Sequence, residues 1–331
     1  MRTYLLPFAC LLSAVSLGYS EVETEVVIDQ LANPTGVAVH DESGDVYVAE
    51  SAAGRVIRIE EGKAVDVVTQ FSLDKYGMDP TYEIGPLGLA FLDQNHIVVS
   101  GGGKPDGEDL VTIYEFGKET PADKPVQKLG PLPAKEKLKA EGNFYGVAVF
   151  KLDNVDWIVT TSNGDDDKGW LAAAEKEKAK FKPLTRHIAT KEATQVDAPA
   201  AITVSPRQEA VVGQMGEIAT PGDSLLTFYD VKQKTLLMSL PTGLSDIVGL
   251  AYSPKTGRLY AVDFSWHDPS QGGLFRIDAV RVDGKQAAKA TKIVNLTKPT
   301  AIDFAKDGTL YITEFGEGEK GGRVLKIEPG L

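Results

Sequence analysis

The chain has 331 residues and a formal charge of −12, with 42% hydrophobic and 25% charged residues. This composition is typical of a folded soluble domain and excludes a collagen-like or low-complexity chain. The excess of Asp and Glu repels phosphate backbones and anionic lipid, so neither nucleic acid nor membrane insertion is expected. The 33 Gly and 18 Pro residues indicate many turns, which favours short strands over long helices.

The N-terminal segment has the pattern of a secretory signal peptide. Arg2 provides a positive charge, an apolar run follows, and Gly18 and Ser20 stand where a signal peptidase requires small residues. We therefore predict a signal peptide at residues 1–20 and a mature chain at residues 21–331. The protein is then exported, either to a periplasm or to the extracellular medium.

A short pattern recurs six times along the mature chain, at intervals of about 50 residues. Each copy combines a turn residue with small and β-branched residues, and further short apolar strands follow it. Four short strands at this period are typical of a propeller blade. We predict an all-β, six-bladed β-propeller with four-stranded antiparallel blades, whose innermost strands start near residues 34, 86, 144, 199, 247 and 299.

The two ends of the chain predict how the ring closes. The sixth unit reaches Leu331 after three strands, and an additional strand at residues 25–31 precedes the first unit. This strand resembles the fourth strands of the other units. We predict that the N-terminal strand completes the last blade, which leaves no exposed sheet edge.

The third unit departs from the pattern at two places. Residues 169–182 are rich in Ala, Glu and Lys, which predicts a short helix. Residues 163–169 place oxygen-bearing side chains at alternate positions, as in a calcium loop. The glycine comes one place late, however, and Ala174 stands where an EF-hand needs Glu. An EF-hand is therefore excluded, and a solvated acidic turn is the preferred interpretation.

Polar side chains end the second strand of most units. Because second strands run antiparallel to the innermost strands, these ends are expected to surround one mouth of the channel. Carboxylate and amide oxygens are the ligands that Ca²⁺ prefers. The candidate metal ligands are Glu50, Asn163, Gln214, Asp263 and Glu314. The alternative is that these side chains cap the blade ends and hydrogen-bond to backbone amides or water. No cofactor other than Ca²⁺ is predicted.

His267 is the candidate catalytic residue. It lies in the sequence DFSWHDP, just past the candidate mouth and next to Asp268. A histidine beside a carboxylate can act as a general base on water or on a lactone. The alternative is a hydrogen-bonded loop residue without a catalytic role.

The motifs of units one and six resemble the NHL-repeat propellers and, more loosely, the regucalcin/gluconolactonase family. Unit one contains PTGVA, GDVYVAE and GRVIRI, and unit six contains PTAID, DGTLYITE and GRVLKI. The resemblance implies a six-bladed fold for the mature chain. Membership of the gluconolactonase family would also imply a divalent cation at one mouth, held by Glu, Asn and Asp. This chain departs from that family at the starts of its innermost strands, which carry no acid at Asn33, Pro34, Leu87, Tyr145 or Val248.

Two functions are compatible with these features. The first is an exported, non-catalytic recognition module that binds a small molecule, glycan, peptide or protein through loops 72–85, 101–109, 163–170 and 214–223. The second is a calcium-dependent hydrolase of the lactonase type, with Glu50, Asn163, Asp263 and Glu314 as ligands of the ion and His267 as the base. The missing acids favour the first function. We expect a monomer, and the sequence leaves open whether the protein is an enzyme.

Overall fold

The chain forms six blades of β-sheet around a central channel. The computed structural model describes residues 22–77, 80–117, 121–164, 168–318 and 320–331. The predicted signal peptide at residues 1–20 lies outside the described residues, as do the central acids of the predicted 163–169 turn. The prediction of an all-β, six-bladed propeller with four-stranded antiparallel blades is confirmed. In the described part of the chain, no helix is long and apolar enough to cross a membrane.

The first two blades follow a single N-terminal strand, β1 (Glu25–Leu31). Blade one consists of β2 (Pro34–Val39), β3 (Val46–Glu50), β4 (Arg55–Glu60) and β5 (Lys63–Val68). A separate hairpin of β6 (Asp74–Tyr76) and β7 (Tyr82–Ile84) then leads into blade two. Blade two consists of β8 (Pro86–Asp93), β9 (His96–Gly101), β10 (Val111–Glu115) and β11 (Gln127–Leu129).

The remaining blades follow in chain order. Blade three contains β12 (Val147–Leu152), β13 (Val155–Ser162), β14 (Trp170–Glu177), β15 (Lys180–Phe181) and β16 (Thr185–Ala189), followed by the short helix α1 (Thr190–Thr194). Blade four contains β17 (Pro199–Val204), β18 (Ala210–Gln214), β19 (Leu225–Asp230) and β20 (Thr235–Pro241). Blade five contains β21 (Ile247–Tyr252), β22 (Leu259–Asp263), β23 (Gly273–Val282) and β24 (Lys285–Asn295). Blade six contains β25 (Pro299–Phe304), β26 (Leu310–Glu314) and β27 (Gly322–Ile327).

The ring closes as the sequence predicts. β1 pairs antiparallel with β27, with Glu25 opposite Lys326 and Val26 opposite Leu325. The N-terminal strand is therefore the fourth strand of blade six. Closure joins the two ends of the chain in one sheet and leaves blade six no shorter than its neighbours.

The predicted helix at residues 169–182 is wrong. This segment contains β14, which pairs with β13 on one side and with β15 and β16 on the other. Leu171 and Ala173 pack toward blade four, while Ala172 and Ala174 pack toward blade two. Burial on both faces and pairing on both edges therefore override the helix propensity of alanine.

The recurring sequence pattern has a packing explanation. Its third residue lies where an innermost strand touches the innermost strand of the next blade. A Cβ atom on Gly36 would stand 2.2 Å from the carbonyl oxygen of Leu87, and one on Gly88 would stand 2.5 Å from that of Tyr145. The glycines therefore permit the close approach of neighbouring backbones that narrows the channel.

The hydrophobic core lies between the blades. Clusters of buried side chains fill each interface between neighbouring blades in the part of the chain that is described. Hydroxyl groups add links closer to the axis. Thr300 Oγ1 donates to the carbonyl oxygen of Pro34 at 2.7 Å, and Thr161 Oγ1 donates to that of Ala200 at 2.8 Å. These contacts hold the innermost strands in a closed ring.

Candidate ligand pocket at the channel mouth

Four of the five predicted metal ligands end the second strands of their blades, and all four are bonded to nearby loops or side chains. Glu50 accepts a hydrogen bond from the amide of Ala32 at 2.9 Å and pairs with Arg55 at 2.6 Å. Glu314 accepts from the amide of Thr297 at 3.1 Å and also pairs with an arginine, Arg323. In both blades the carboxylate holds the loop that leads into an innermost strand.

Asp263 and Gln214 have the same structural role in other blades. Asp263 accepts hydrogen bonds from the amides of Ser245, Asp246 and Ser265 at 2.8 to 3.0 Å. Gln214 Nε2 donates to the carbonyl oxygen of Val196 at 2.6 Å. These bonds correspond to the capping alternative that the sequence left open.

A calcium site is not formed by these contacts. Among the residues that the structure describes, no group of three or more His, Cys, Asp or Glu side chains could hold a metal ion. Asn163, the remaining candidate ligand, lines the mouth, and its Oδ1 is buried without a hydrogen-bond partner. A single free amide oxygen does not fit the six to eight oxygen ligands that Ca²⁺ takes. The calcium site therefore stays a prediction.

An aromatic cavity occupies the same mouth. The β6–β7 hairpin places Tyr76 and Tyr82 over the channel, where both pack against Trp266 with ring centroids 6.4 and 5.5 Å apart. Phe264 and Phe315 extend this wall, and Tyr82 lies 5.0 Å from the ring of Phe315. The cavity encloses about 570 Å³, including the part open to solvent. Its lining is almost entirely apolar, as is common in sites that bind small organic molecules.

Tyr145 forms the floor of the cavity. It belongs to the segment that enters blade three, and its hydroxyl donates across the channel to the carbonyl oxygen of Thr300 in blade six at 3.1 Å. Burial raises the pKa of Tyr145 well above its usual value, and Tyr76 adds to the effect. Tyr145 is therefore a neutral phenol at any physiological pH, and it separates the cavity from the rest of the channel.

Carboxylates surround the cavity from several directions. Burial raises the pKa of Tyr76, and Asp106, Asp197 and Asp246 raise it further. These acids belong to three different segments, which lie in blade two, before β17 and before β21. Asp197 also pairs with Lys191 at 2.8 Å. All three acids raise the pKa of Tyr76, so each contributes a negative potential at the entrance.

Two of the buried acids near the mouth have strongly raised pKa values. Burial raises the pKa of Asp246 to about 6, although the amide of Trp266 donates a hydrogen bond to it at 2.6 Å. Burial likewise raises the pKa of Asp109 to about 7, against the effect of the amides of Asn143 and Lys104. Both acids bind backbone amides of mouth loops, so they position those loops while they carry a titratable charge.

His267 lies beside the cavity and does not line it. Its side chain is exposed and acts electrostatically on Asp246 and Asp268. The preceding residue, Trp266, is the one that faces the cavity. The histidine of this loop was predicted from the sequence as a candidate, whereas the aromatic wall was not, because its members come from separate segments.

The predicted recognition loops contribute unequally to the cavity. Loop 72–85 contributes most, since it contains the β6–β7 hairpin, and loops 163–170 and 214–223 add Asn163 and Met215. Loop 101–109 supplies Asp106 and Asp109 to the surroundings of the mouth. The segments after β22 and β26, which the predicted recognition face did not include, supply Phe264, Trp266 and Phe315.

Comparisons with known proteins bear on the fold. No family model matches the chain, and no curated protein matches it by sequence. The NHL resemblance is therefore not confirmed. Similar solved structures exist at low identity. A gluconolactonase from Xanthomonas campestris is 15% identical with a TM-score of 0.58, and the match covers 94% of this chain and 90% of that one.

Two further structures agree with this match. An oxidoreductase described as a glucose dehydrogenase, from Thermus thermophilus, is 17% identical with a TM-score of 0.62, over 93% of this chain and all of that one. A luciferin-regenerating enzyme is 12% identical with a TM-score of 0.59, over 94% of this chain and 96% of that one. At these identities the likeness shows the fold alone, a β-propeller.

Proposed function

We propose that this protein is an exported module that binds a small organic molecule in the aromatic cavity at the channel mouth. The cavity itself carries the proposal. Its walls are aromatic, its floor is closed by Tyr145, and the β6–β7 hairpin covers it. Burial of apolar ligand surface against such walls yields about 25 cal/mol per Å² before the costs of association.

The hydrogen-bonding groups of the cavity indicate which ligands fit. Thr35 Oγ1 donates to the carbonyl oxygen of Pro86 at 3.0 Å, and the hydroxyls of Thr300 and Tyr145 are likewise bonded within the protein. A polyhydroxylated sugar would lose its hydrogen bonds to water and find few partners here, which costs about 1–3 kcal/mol per unsatisfied group. The ligand is therefore expected to present an apolar or aromatic face to the cavity.

Titration with p-cresol, a neutral aromatic probe, tests this function by ligand-observed NMR. We expect Trp266→Ala to weaken binding about tenfold or more, because removal of one aromatic wall costs about 1.5 kcal/mol or more. Trp157→Ala is the matched control, since Trp157 is also partly buried but packs against His187 in blade three. The proposal fails if p-cresol does not bind, or if both variants weaken binding equally.

Lactone hydrolysis is the second candidate function. Two observations support it: the fold is shared with a gluconolactonase, and the pKa of Asp246 is raised to about 6 next to the cavity. A carboxylate with such a pKa can accept a proton near neutral pH. His267 and Ca²⁺ belong to this alternative as predictions. Its test is hydrolysis of glucono-δ-lactone in the presence of calcium or EDTA, with the variants Asp246→Asn and His267→Ala. Turnover unaffected by both variants would contradict these roles.

A further inference from the structure

We propose that the ligand of the aromatic cavity is an organic cation with a substituted ammonium head, such as a trimethylammonium group. This inference rests on the proposed function and specifies the chemistry of the same site. Three observations carry it: the arrangement of the rings, the shortage of free hydrogen-bonding groups, and the negative charge around the entrance.

Three of the rings that line the cavity meet nearly at right angles. Trp266 meets Tyr76 at an interplanar angle of 83° and Tyr82 at 87°, so that their faces point in different directions. The faces of aromatic rings are electron-rich and attract cations within about 6 Å of the ring centroid. A cation already reaches one of these rings, because the ammonium group of Lys298 lies 5.8 Å from the centroid of Tyr82.

The polar groups of the cavity favour a head that needs no hydrogen bonds. The hydroxyls on its floor and lower wall are bonded to carbonyl oxygens of innermost strands. Among the cavity residues that the structure describes, Asn163 has a buried side-chain oxygen, Oδ1, without a hydrogen-bond partner. A primary ammonium group needs three acceptors, whereas a trimethylammonium group needs none. Methylated heads therefore match this lining best.

The charge around the cavity complements such a head. Asp106 and Asp246 come from different segments and both raise the pKa of Tyr76, and the carboxylate of Asp246 accepts a hydrogen bond from the amide of Trp266 at 2.6 Å. Lys298 opposes them at the rim, and the charge of Asp197 is shared with Lys191. The remaining negative potential attracts cations and repels anions such as carboxylated ligands.

Choline and its uncharged carbon analogue, 3,3-dimethylbutan-1-ol, provide the test because they share one shape and differ in charge. Binding to the intact protein is measured by calorimetry and by the fluorescence of Trp266, with Trp266→Phe as the spectroscopic control. We expect choline to bind about tenfold more tightly than the analogue. Asp246→Asn should lower the ratio of choline affinity to analogue affinity about threefold or more, and Lys298→Gln should raise that ratio.

The outcomes separate this inference from the proposed function. Equal affinity of the two probes overturns the cation and leaves the neutral binding site, which the p-cresol titration tests independently. Choline that fails to bind at millimolar concentration overturns the inference as well. Choline binding that is unchanged in Trp266→Ala places the cation elsewhere on the acidic surface and also overturns it.

Discussion

The substitution Asp109→Asn tests how burial controls the charge of the mouth. The side chain of Asp109 is 1% exposed and accepts hydrogen bonds from the amides of Lys104 and Asn143 at 3.0 and 2.9 Å. Burial raises its pKa to about 7, and Asp106 and Asp74 add to this effect. In the unfolded chain the pKa of the same carboxyl group is about 3.9.

The sign of the effect follows from proton binding. Between about pH 4 and pH 7 the folded protein holds a proton on Asp109 that the unfolded chain has lost. The free energy of unfolding therefore falls as the pH rises through this range. For a folded pKa of 7, the change from pH 6 to pH 8 removes about 1.4 kcal/mol. In a chain of this length that corresponds to a midpoint lower by about 2 °C.

Urea titrations at pH 6 and pH 8 measure this difference. The asparagine side chain of the variant cannot ionise, so Asp109→Asn should lose about 1.4 kcal/mol less than the wild type between the two pH values, even if it is less stable at both. Asp29→Asn, at an exposed carboxylate of β1, is the matched control and should follow the wild type. If Asp109→Asn and the wild type lose the same free energy, burial does not hold this proton and the reasoning is refuted.

Two substitutions and one deletion test the ring and its loops. Gly88→Val should lower the free energy of unfolding by about 3 kcal/mol or prevent folding, because the added Cβ would stand 2.5 Å from the carbonyl oxygen of Tyr145. Thermal unfolding measures the loss of stability. Glu50→Ala should lower the free energy of unfolding by about 1–3 kcal/mol, since it leaves the partly buried amide of Ala32 and the guanidinium of Arg55 without this partner, and a urea midpoint equal to wild type would contradict that role. Deletion of residues 25–31 should expose the edge of β27 and cause aggregation, which size-exclusion chromatography would detect.

The fold could be predicted because its repeat has a local physical cause. A glycine or alanine recurs wherever two innermost strands touch, as at Gly36 and Gly88, and each copy is followed by strands of similar length. The predicted helix failed for the opposite reason. The leucine and three alanines at residues 171–174 have high helix propensity. Their burial on both faces of the sheet depends on the neighbouring blades, and the local composition does not reveal this burial.

The carboxylates Glu50 and Glu314 end their strands, but their hydrogen-bond partners could not be predicted from the sequence. Propeller geometry brings Glu50 and Glu314 to one mouth, as expected. Whether such a group turns toward the axis or toward its own loop depends on nearby amides and arginines. Here the bonds to Ala32 and Thr297 satisfy both side chains. The same residue types thus serve either a metal site or a loop cap, and the three-dimensional contacts decide between them.

The aromatic cavity has no recognisable pattern in the sequence. Its rings come from the β6–β7 hairpin and from the segments after β22 and β26, and no spacing relates Tyr82 to Trp266 or Phe315. Since the buried acids hold the loops and the half-buried Trp266 lines the cavity, substitution of Trp266 should alter binding more than stability. Substitution of a strand-end acid should do the reverse. A cation held by these carboxylates would first have to break the bonds that keep the loops in place, and this cost favours an organic ligand over a metal ion in the mouth.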